Sequence, residues 1–117
     1  MDILGITIWR EARSEGPEGM AGVANVILNR ANSLGRGWPP DAEKVCLQSY
    51  QFSCWNSSDP QRNLYPAELD PQYIEALNIT TNPIGDCNCY YDTSIMPPKA
   101  ALGKPIISIG RLRFYKI

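Results

Sequence analysis

The sequence of 117 residues contains no histidine, and this absence removes several common kinds of catalytic and metal site. A Ser-His-Asp triad, a Cys-His pair and every zinc site that uses imidazole need a residue that the chain does not have. Carboxylates, lysine, tyrosine and cysteine remain for chemistry near neutral pH. With 12 aspartates and glutamates, the sequence favours acid and base catalysis by carboxyl groups, and a binding module without chemistry is the alternative.

The chain also lacks an excess of positive charge and any long apolar run. Eleven basic residues against 12 acidic ones give a formal net charge of -1, so nucleic acid is a poor candidate partner. No stretch approaches the roughly 20 apolar residues of a membrane span, and the first residues show no signal-peptide pattern. We therefore expect a protein made in soluble form, which reaches an outer compartment by other means or has a trimmed N-terminus.

The four cysteines, Cys46, Cys54, Cys87 and Cys89, have spacings that do not suit zinc. C-x7-C and C-x-C both differ from the pairs two to four residues apart that structural zinc sites use. We therefore expect neither a metal nor another cofactor. One or two disulfides that join Cys46 or Cys54 to Cys87 or Cys89 would suit a small domain in an oxidising compartment, and buried free thiols are the equal alternative.

The apolar pattern predicts a single domain over residues 1–117, of the α+β class and mainly helical. A first helix is expected over residues 2–15. After Gly16 and Pro17, a second helix carries an apolar stripe with steps of three and four residues. The stripe, which predicts a face turned to the core, consists of Met20, Val23, Ala24, Ile27, Leu28 and Ala31.

The remaining two thirds of the chain contain less regular structure. Short helices are expected over residues 42–48, after the cap residue Asp41, and over residues 71–78, after Asp70. Long loops are predicted over residues 49–69 and 82–98, where prolines, glycines and polar residues collect. Residues 106–115 alternate around Gly110 and Arg111, which predicts a short β-hairpin or one bent strand near the C-terminus.

Glu11 is the first candidate for a catalytic group, because it lies near the end of the first predicted helix. The negative end of the helix dipole, with apolar cover from Trp9, would raise the pKa of its carboxyl group, as a general acid requires. Arg10 and Arg13 would lower that pKa. A glutamate near a helix end is otherwise a solvated surface residue, so position alone leaves both roles open.

Four segments that occur in order give the sequence a family resemblance. The first is Glu11-Ala12-Arg13-x-Glu15-Gly16-x-x-Gly19-Met20, continued by Val23-Ala24-Asn25-Val26-Ile27-Leu28-Asn29-Arg30. The others are Tyr50-Gln51-Phe52-Ser53-Cys54-Trp55, then Asn82-Pro83-x-Gly85 with Tyr90-Tyr91-Asp92, and last Ile109-Gly110-x-x-x-Phe114-Tyr115. Together they resemble the cell wall hydrolases named after the spore cortex-lytic enzyme SleB.

This resemblance implies a lysozyme-like fold and cleavage of the β-1,4 bond between N-acetylmuramic acid and N-acetylglucosamine in peptidoglycan. Many members of the family are lytic transglycosylases, and the motif implies that Glu11 is the catalytic acid. Glu11 would protonate the glycosidic oxygen and then accept a proton from the muramic C6 hydroxyl, which closes a 1,6-anhydro ring. A hydrolytic version would add water instead. The alternative functions are a catalytically silent peptidoglycan-binding module and a disulfide-stabilised structural protein.

Besides Glu11, two polar residues, Glu15 and Gln51, are expected to contact the glycan strand. Glu15 lies four residues after Glu11 on the same face of the predicted helix, so it would raise the pKa of Glu11 by repulsion, pair with Arg13 or orient a loop. Of these, a structural role is the preferred interpretation. The resemblance places Gln51, with Phe52, in the sugar groove opposite Glu11. The glutamine side chain has donors and acceptors that suit acetamido groups.

Aromatic residues supply the other predicted contacts with sugar. Trp55 suits stacking on a sugar ring, although burial would explain it equally well. Tyr90 and Tyr91 are neighbours in an extended stretch, so their side chains point in opposite directions and only one of them is expected to face the cleft.

Several positions depart from the family pattern. Asp92 stands where asparagine is usual, Leu112 and Arg113 stand where a histidine is common, and Cys87 and Cys89 replace small or aromatic residues. Substrate contacts at these positions would therefore differ from those of the family. The small size and the missing signal peptide indicate either a phage-type endolysin released at lysis or the catalytic domain of a longer protein. We expect a monomer that acts on the cell wall.

Overall fold

The computed structural model describes residues 2–49 and 51–117, and most of its regular structure is helical. The helices are α1 (Ile3–Ala12), α2 (Gly16–Ala31), α3 (Ala42–Leu47) and α4 (Pro71–Leu77). The strands are β1 (Cys89–Asp92), β2 (Ile107–Ile109) and β3 (Leu112–Tyr115). Single-turn 3-10 helices form at Arg13–Glu15, Ser53–Trp55, Pro60–Asn63 and Lys99–Ala101. The predicted class, mainly helical with a small β element near the C-terminus, is confirmed. No helix in the described ranges has the length and apolar character to cross a membrane.

Aspartate side chains begin three of the helices. Asp2, Asp41 and Asp70 each accept a hydrogen bond from a backbone N–H group two or three residues further on, at 2.9–3.1 Å. These bonds satisfy N–H groups that have no partner inside the first turn, and each is typically worth about 1 kcal/mol. The predicted starts of these helices are therefore confirmed.

The first helix ends earlier than its sequence pattern predicts. α1 stops at Ala12, and the chain tightens into the 3-10 turn Arg13–Glu15 before Gly16 starts α2 with a φ of 76°. The turn directs Glu15 to the β2–β3 hairpin, where its carboxylate accepts a hydrogen bond from the backbone N–H of Arg111 at 3.0 Å. The prediction that Glu11 and Glu15 share one helix face is therefore wrong.

Three strands form one antiparallel sheet in the order β1-β3-β2. The predicted hairpin around Gly110 is confirmed as β2 and β3. β1 is a correction, because it lies inside the segment 82–98 that is predicted as a loop. In the sheet, Cys89 lies opposite Tyr115 and Tyr90 opposite Phe114. A strand of four residues whose partner lies far along the chain leaves little local signal, and this explains the error.

The main core lies where α1 and α2 meet the inner face of the sheet. Most of the predicted stripe of α2 is buried, with Val23 and Ile27 at 0 % exposure. Leu28 is the exception at 40 % exposure, whereas the unpredicted Val26 is fully buried at 0 %. The buried arc of α2 therefore extends from the stripe to Val26, because the helix packs against α1, α3, α4 and the sheet and is covered on more than one side.

The sheet approaches α2 most closely at Gly22. A Cβ atom at this position would lie 2.5 Å from the Cζ atom of Phe114, which is well inside contact distance. Phe114 itself is 0 % exposed. Only glycine therefore leaves room for this ring, which in turn supports the neighbouring strand β1.

The four cysteines are buried free thiols in the structure. Of the two alternatives left open by the sequence, buried free thiols are therefore the one found, and cross-links from Cys46 or Cys54 to Cys87 or Cys89 are absent. Cys46, Cys54 and Cys87 belong to the main core, and Cys89 packs in a smaller cluster beyond the sheet. Burial raises the pKa of the Cys46 thiol to about 11, so it stays protonated and behaves as an apolar side chain.

Adjacent residues of α2 provide a test of this packing. We expect Ile27→Ala to lower the free energy of unfolding by about 2–5 kcal/mol, because it opens a cavity in the core. Leu28→Ala removes a side chain of the same size that is already 40 % exposed, so we expect a loss below about 1 kcal/mol. Urea denaturation of the two variants measures both values, and equal losses would contradict the burial pattern.

Candidate active site

Glu11 is the penultimate residue of α1, and its half-buried carboxyl group lies beside strand β1. The hydroxyl of Tyr90 donates a hydrogen bond to Glu11 Oε1 at 3.0 Å, across a separation of 79 residues in sequence. The fold therefore brings the predicted catalytic acid and one predicted sugar-contacting tyrosine into direct contact.

The surroundings of Glu11 favour its protonated form. Burial raises the pKa of Glu11 from its ordinary value of 4.5 to about 7, because a poorly solvated site penalises the charged carboxylate. The hydrogen bond from Tyr90 acts against this increase in pKa, and the negative charge of Asp59 adds to it. The carboxyl group is therefore about half protonated at pH 7, which suits both the donation and the acceptance of a proton.

The physical cause of the raised pKa differs from the one that the sequence suggests. Trp9, the expected apolar cover, packs with Ile6 and Tyr73 in a separate cluster. Arg10 and Arg13, the expected opposing charges, are directed to backbone carbonyls and aromatic rings. Burial by residues distant in sequence takes the place of the local effects.

Tyr90 is held in place by two aromatic rings. Its ring centroid lies 6.4 Å from that of Phe52 and 5.7 Å from that of Phe114, both in tilted arrangements. Burial and the negative charge of Glu11 raise the pKa of Tyr90 well above its usual value. Tyr90 therefore remains a neutral hydrogen-bond donor to Glu11 throughout the neutral range.

Tyr91 points to the opposite face of the sheet. Its ring packs against Tyr115 at a centroid distance of 6.2 Å, in the cluster that contains Cys89. The expected alternation along the strand is confirmed, and it assigns the site-facing position to Tyr90. Tyr91 is therefore the one of the two tyrosines that faces away from Glu11.

Phe52 is buried in the core, whereas its neighbour Gln51 is exposed. Phe52 is 2 % exposed and forms part of the core behind Tyr90, a position that leaves almost no surface for its predicted contact with sugar. Gln51 is exposed, and its Oε1 accepts a weak hydrogen bond from Arg30 Nη1 at 3.4 Å. Gln51 thus stays available for a ligand. Tyr50, which opens the same motif, lies outside the described residues.

Glu15 has a structural role in the described fold. Besides accepting the hydrogen bond from the Arg111 N–H group, its carboxylate lies so close to Gly110 that a Cβ atom there would overlap Oε2. Glu15 therefore holds the turn between β2 and β3. This is the structural role favoured by its sequence position, and a contact of Glu15 with the glycan strand stays a prediction.

Trp55 is half-buried, and its polar edge is already occupied. Its Nε1 donates a hydrogen bond to Thr7 Oγ1 at 2.8 Å, and the guanidinium of Arg10 covers one face of the ring at 4.4 Å. Trp55 also lines a hollow of about 450 Å³, together with residues 47–49 and 56–58. Glu11 is not among the residues that line this hollow.

Sequence reasoning missed two groups near Glu11. The charge of Asp59 raises the pKa of Glu11, and the charge of Glu11 in turn contributes to a raised pKa of the Cys54 thiol. Both residues lie in the loop 49–69, whose path depends on contacts with α1. The only local signal is the pair Asp59-Pro60, which marks the start of a short helix and says nothing about Glu11.

The buried carboxyl group predicts a specific pH dependence of stability. Below about pH 4.5 Glu11 is protonated in both the folded and the unfolded state. Between about pH 4.5 and 7 only the unfolded state ionises, so stability decreases by about 3 kcal/mol and then stays lower. We therefore expect Glu11→Gln to increase the free energy of unfolding by up to this amount at pH 8 and little at pH 4.

Urea denaturation at the two pH values measures this difference. Glu18→Gln is the matched control, because Glu18 is exposed in the first turn of α2. Its effect should be small and similar at both pH values. An equal effect of Glu11→Gln at pH 4 and pH 8 would contradict the raised pKa.

Two solved structures resemble this one over almost the whole chain. One is the catalytic domain of the germination-specific lytic transglycosylase SleB from Bacillus anthracis, with a TM-score of 0.73 and 28% identity over 97% of this chain and 91% of that one. The other is the catalytic domain of the Bacillus cereus SleB protein, with a TM-score of 0.74 and 28% identity over 97% and 87%. A search of curated proteins found no match.

The sequence profile of the Cell Wall Hydrolase family matches residues 14–115. Glu11 precedes the matched segment, so its place in the site rests on the contacts described above. The match covers most of the chain, and it agrees with the four motifs and with the fold of the two SleB domains. The chain belongs to the cell wall hydrolase family.

Proposed function

We propose that this protein is a peptidoglycan lytic transglycosylase in which Glu11 acts first as acid and then as base. The observation that carries the proposal is the half-buried carboxyl group of Glu11, whose pKa is raised to about 7 beside the Tyr90 hydroxyl. Family membership supports the same activity, as does similarity to a SleB domain described as a lytic transglycosylase. The bond cleaved is the β-1,4 link between N-acetylmuramic acid and N-acetylglucosamine.

The first step is the departure of the N-acetylglucosamine leaving group. Protonated Glu11 donates its proton to the glycosidic oxygen, and the electron pair of the bond to the muramic C1 moves to that oxygen. C1 becomes part of an oxocarbenium-like sugar. Glu11 is then a carboxylate, and the hydrogen bond from Tyr90 stabilises this charged form in a poorly solvated site.

The second step restores the enzyme. The muramic C6 hydroxyl oxygen attacks C1 while the Glu11 carboxylate takes the hydroxyl proton, and a 1,6-anhydro ring forms. Glu11 ends the cycle protonated, and no water is consumed. One carboxyl group with a pKa of about 7 suits both steps, because neither its protonated nor its ionised form is strongly disfavoured at neutral pH.

The energetic penalty at Glu11 argues against a silent binding module. Keeping a carboxyl group in a site that raises its pKa to about 7 destabilises the fold above that pH by about 3 kcal/mol. A binding surface gains nothing from such a group, whereas a general acid requires it. The alternative of a silent module is therefore not favoured.

The remaining features of the proposal concern substrate and location. Peptidoglycan glycan strands are the substrate, which places the reaction outside the cytoplasm, in the periplasm or beyond. α1 and β1 of one chain supply the contact between Glu11 and Tyr90, so we propose a monomer that needs no cofactor. Release at lysis, as for an endolysin, and action as the catalytic domain of a longer protein both fit this site.

Substitution of Glu11 tests its role directly. We expect Glu11→Gln to lower the rate of muropeptide release from purified peptidoglycan by at least about 10²–10⁴-fold, because an amide cannot donate the proton to the leaving oxygen. Glu15→Gln is the control. It weakens the hydrogen bond to the Arg111 N–H group, so it should reduce stability and change the rate only modestly.

Circular dichroism of both variants should show that the fold is intact. Activity close to that of the unmodified protein in folded Glu11→Gln would assign the acid to another residue. Equal inactivation by both substitutions would indicate a mechanism with two carboxyl groups, in which water is the acceptor.

The products test the second step. We expect mass spectrometry of the digest to show muropeptides with 1,6-anhydro ends, which are lighter by one water than the corresponding reducing-end products. Only reducing ends would mean that water replaces the C6 hydroxyl, and the enzyme would then be a hydrolase. A protein that binds peptidoglycan without releasing soluble fragments would be the silent module.

A further inference from the structure

Arg10, the residue before Glu11, is a buried cation without a carboxylate partner. It is 5 % exposed, and the salt bridges of the described residues join other groups, Arg111 with Asp92 and Lys116 with Asp86. Its Nη2 atom is buried and has no hydrogen-bond partner among those residues. Burial of an unpaired charge is unfavourable, so the contacts that Arg10 does make must compensate for it.

These contacts all lie on the segment 54–65, which we name the clamped loop. Arg10 Nε donates a hydrogen bond to the carbonyl oxygen of Leu64 at 2.9 Å, and Nη1 donates one to that of Cys54 at 3.3 Å. The guanidinium also lies 4.4 Å from the ring centre of Trp55 and 4.7 Å from that of Tyr65. One side chain of α1 therefore holds both ends of the clamped loop.

The clamped loop is also tied together internally. Arg62 Nη1 donates a hydrogen bond to the carbonyl oxygen of Trp55 at 3.2 Å. Asp59 lies in the middle of the loop, where its Oδ1 accepts a hydrogen bond from the Gln61 N–H group at 2.7 Å. A displacement of the loop from α1 would therefore move Asp59 and the backbone around Cys54 together.

We propose that Arg10 is a positioning residue for the reaction, because it holds the clamped loop against α1 and thereby keeps Glu11 covered and close to Asp59. The proposal rests on the proposed role of Glu11. Burial and the charge of Asp59 are the two causes that raise the pKa of Glu11. Asp59 and the buried Cys54 both lie in the clamped loop, and each is near enough to Glu11 for their charges to interact, so a displacement of the loop would weaken both causes. Release of the loop would therefore hydrate Glu11 and lower its pKa.

The other titratable groups that face Glu11 are neutral, so they add no charge beside it, although Cys54 itself lies on the clamped loop. Tyr90 approaches from β1, donates its hydrogen bond and remains neutral. The Cys54 thiol, whose pKa is raised by burial, also stays neutral. Arg10 itself carries a positive charge, so a neutral substitution would remove that charge and loosen the loop together. A test of positioning must keep the charge.

Arg10→Lys meets this requirement, because lysine keeps the positive charge. Lysine lacks the planar guanidinium group that bonds two carbonyls and stacks on two rings. We expect the basic limb of the pH profile of kcat/KM for muropeptide release to move down by about one pH unit. The protonated fraction of Glu11 at pH 7 would then fall from about one half to about one tenth, so the rate at pH 7 falls about fivefold. The rate at pH 5 should change little.

Arg13→Lys is the matched control from the same region. Arg13 also lies over an aromatic ring, at 4.0 Å from the ring centre of Trp9, and it donates hydrogen bonds to the carbonyls of Trp9 and Arg10. None of these contacts reaches the clamped loop. We expect the pH profile of Arg13→Lys to match that of the unmodified protein.

Two further variants distinguish a displaced loop from a general loss of stability. Asp59→Asn removes one cause of the raised pKa, so the basic limb should move in the same direction, while amide hydrogen exchange in the clamped loop stays slow. Tyr65→Ala removes one of the two rings around Arg10 at a side chain that is 60 % exposed, so folding should tolerate it. It should speed exchange in the loop and move the basic limb by a smaller amount.

An unchanged basic limb in Arg10→Lys, or an equal loss of rate at every pH, would overturn the proposal. If Arg10→Lys does not fold, an unchanged profile of Tyr65→Ala overturns it instead. Glu11→Gln distinguishes this failure from that of the proposed function. If Glu11→Gln is inactive and the Arg10→Lys profile is unchanged, only the positioning role of Arg10 is rejected. If Glu11→Gln remains active, the role of Glu11 as the acid is rejected.

Discussion

The contact between Glu11 and Tyr90 is the interaction on which the rest of this structure depends. It joins the first helix to the first strand of a sheet formed near the other end of the chain. A carboxyl group can remain half-buried there because a neutral hydroxyl satisfies one of its oxygens. The rings of Phe52 and Phe114 hold that hydroxyl in place from behind. Much of the core can be understood as support for this contact.

Two buried arginines position the elements on either side of that contact. Arg10 holds the clamped loop to α1, as described above. Arg30, at 8 % exposure, donates a hydrogen bond from Nε to the carbonyl oxygen of Asn88 at 2.7 Å, directly before β1. Both arginines use backbone carbonyls and aromatic rings as partners. They thereby fix loop and strand positions without a carboxylate partner of their own among the described residues.

The sequence predicted the elements whose signals are local. The aspartate caps, the periodic stripe of α2 and the turn at Gly110 depend on residues a few positions apart, and the structure confirms them. The order of four motifs identified the family, because each motif preserves its own short spacing. The predictions that were wrong concern contacts over long separations. β1 was missed, Leu28 is exposed, and the disulfides are absent since the cysteines pack in the core as thiols.

The sequence by itself determined which kinds of chemistry are open to the protein and identified Glu11 as the candidate acid. The absence of histidine and the motif around Glu11 depend only on which residues are present and in what order. The tertiary structure decided the pKa of Glu11 and which side chains face it. Burial of its carboxyl group, the hydrogen bond from Tyr90 rather than Tyr91, the charge of Asp59 and the turn of Glu15 toward the hairpin all arise where distant segments meet. A pKa depends on solvation and on charges in space, and no pattern of neighbouring residues in the chain specifies these.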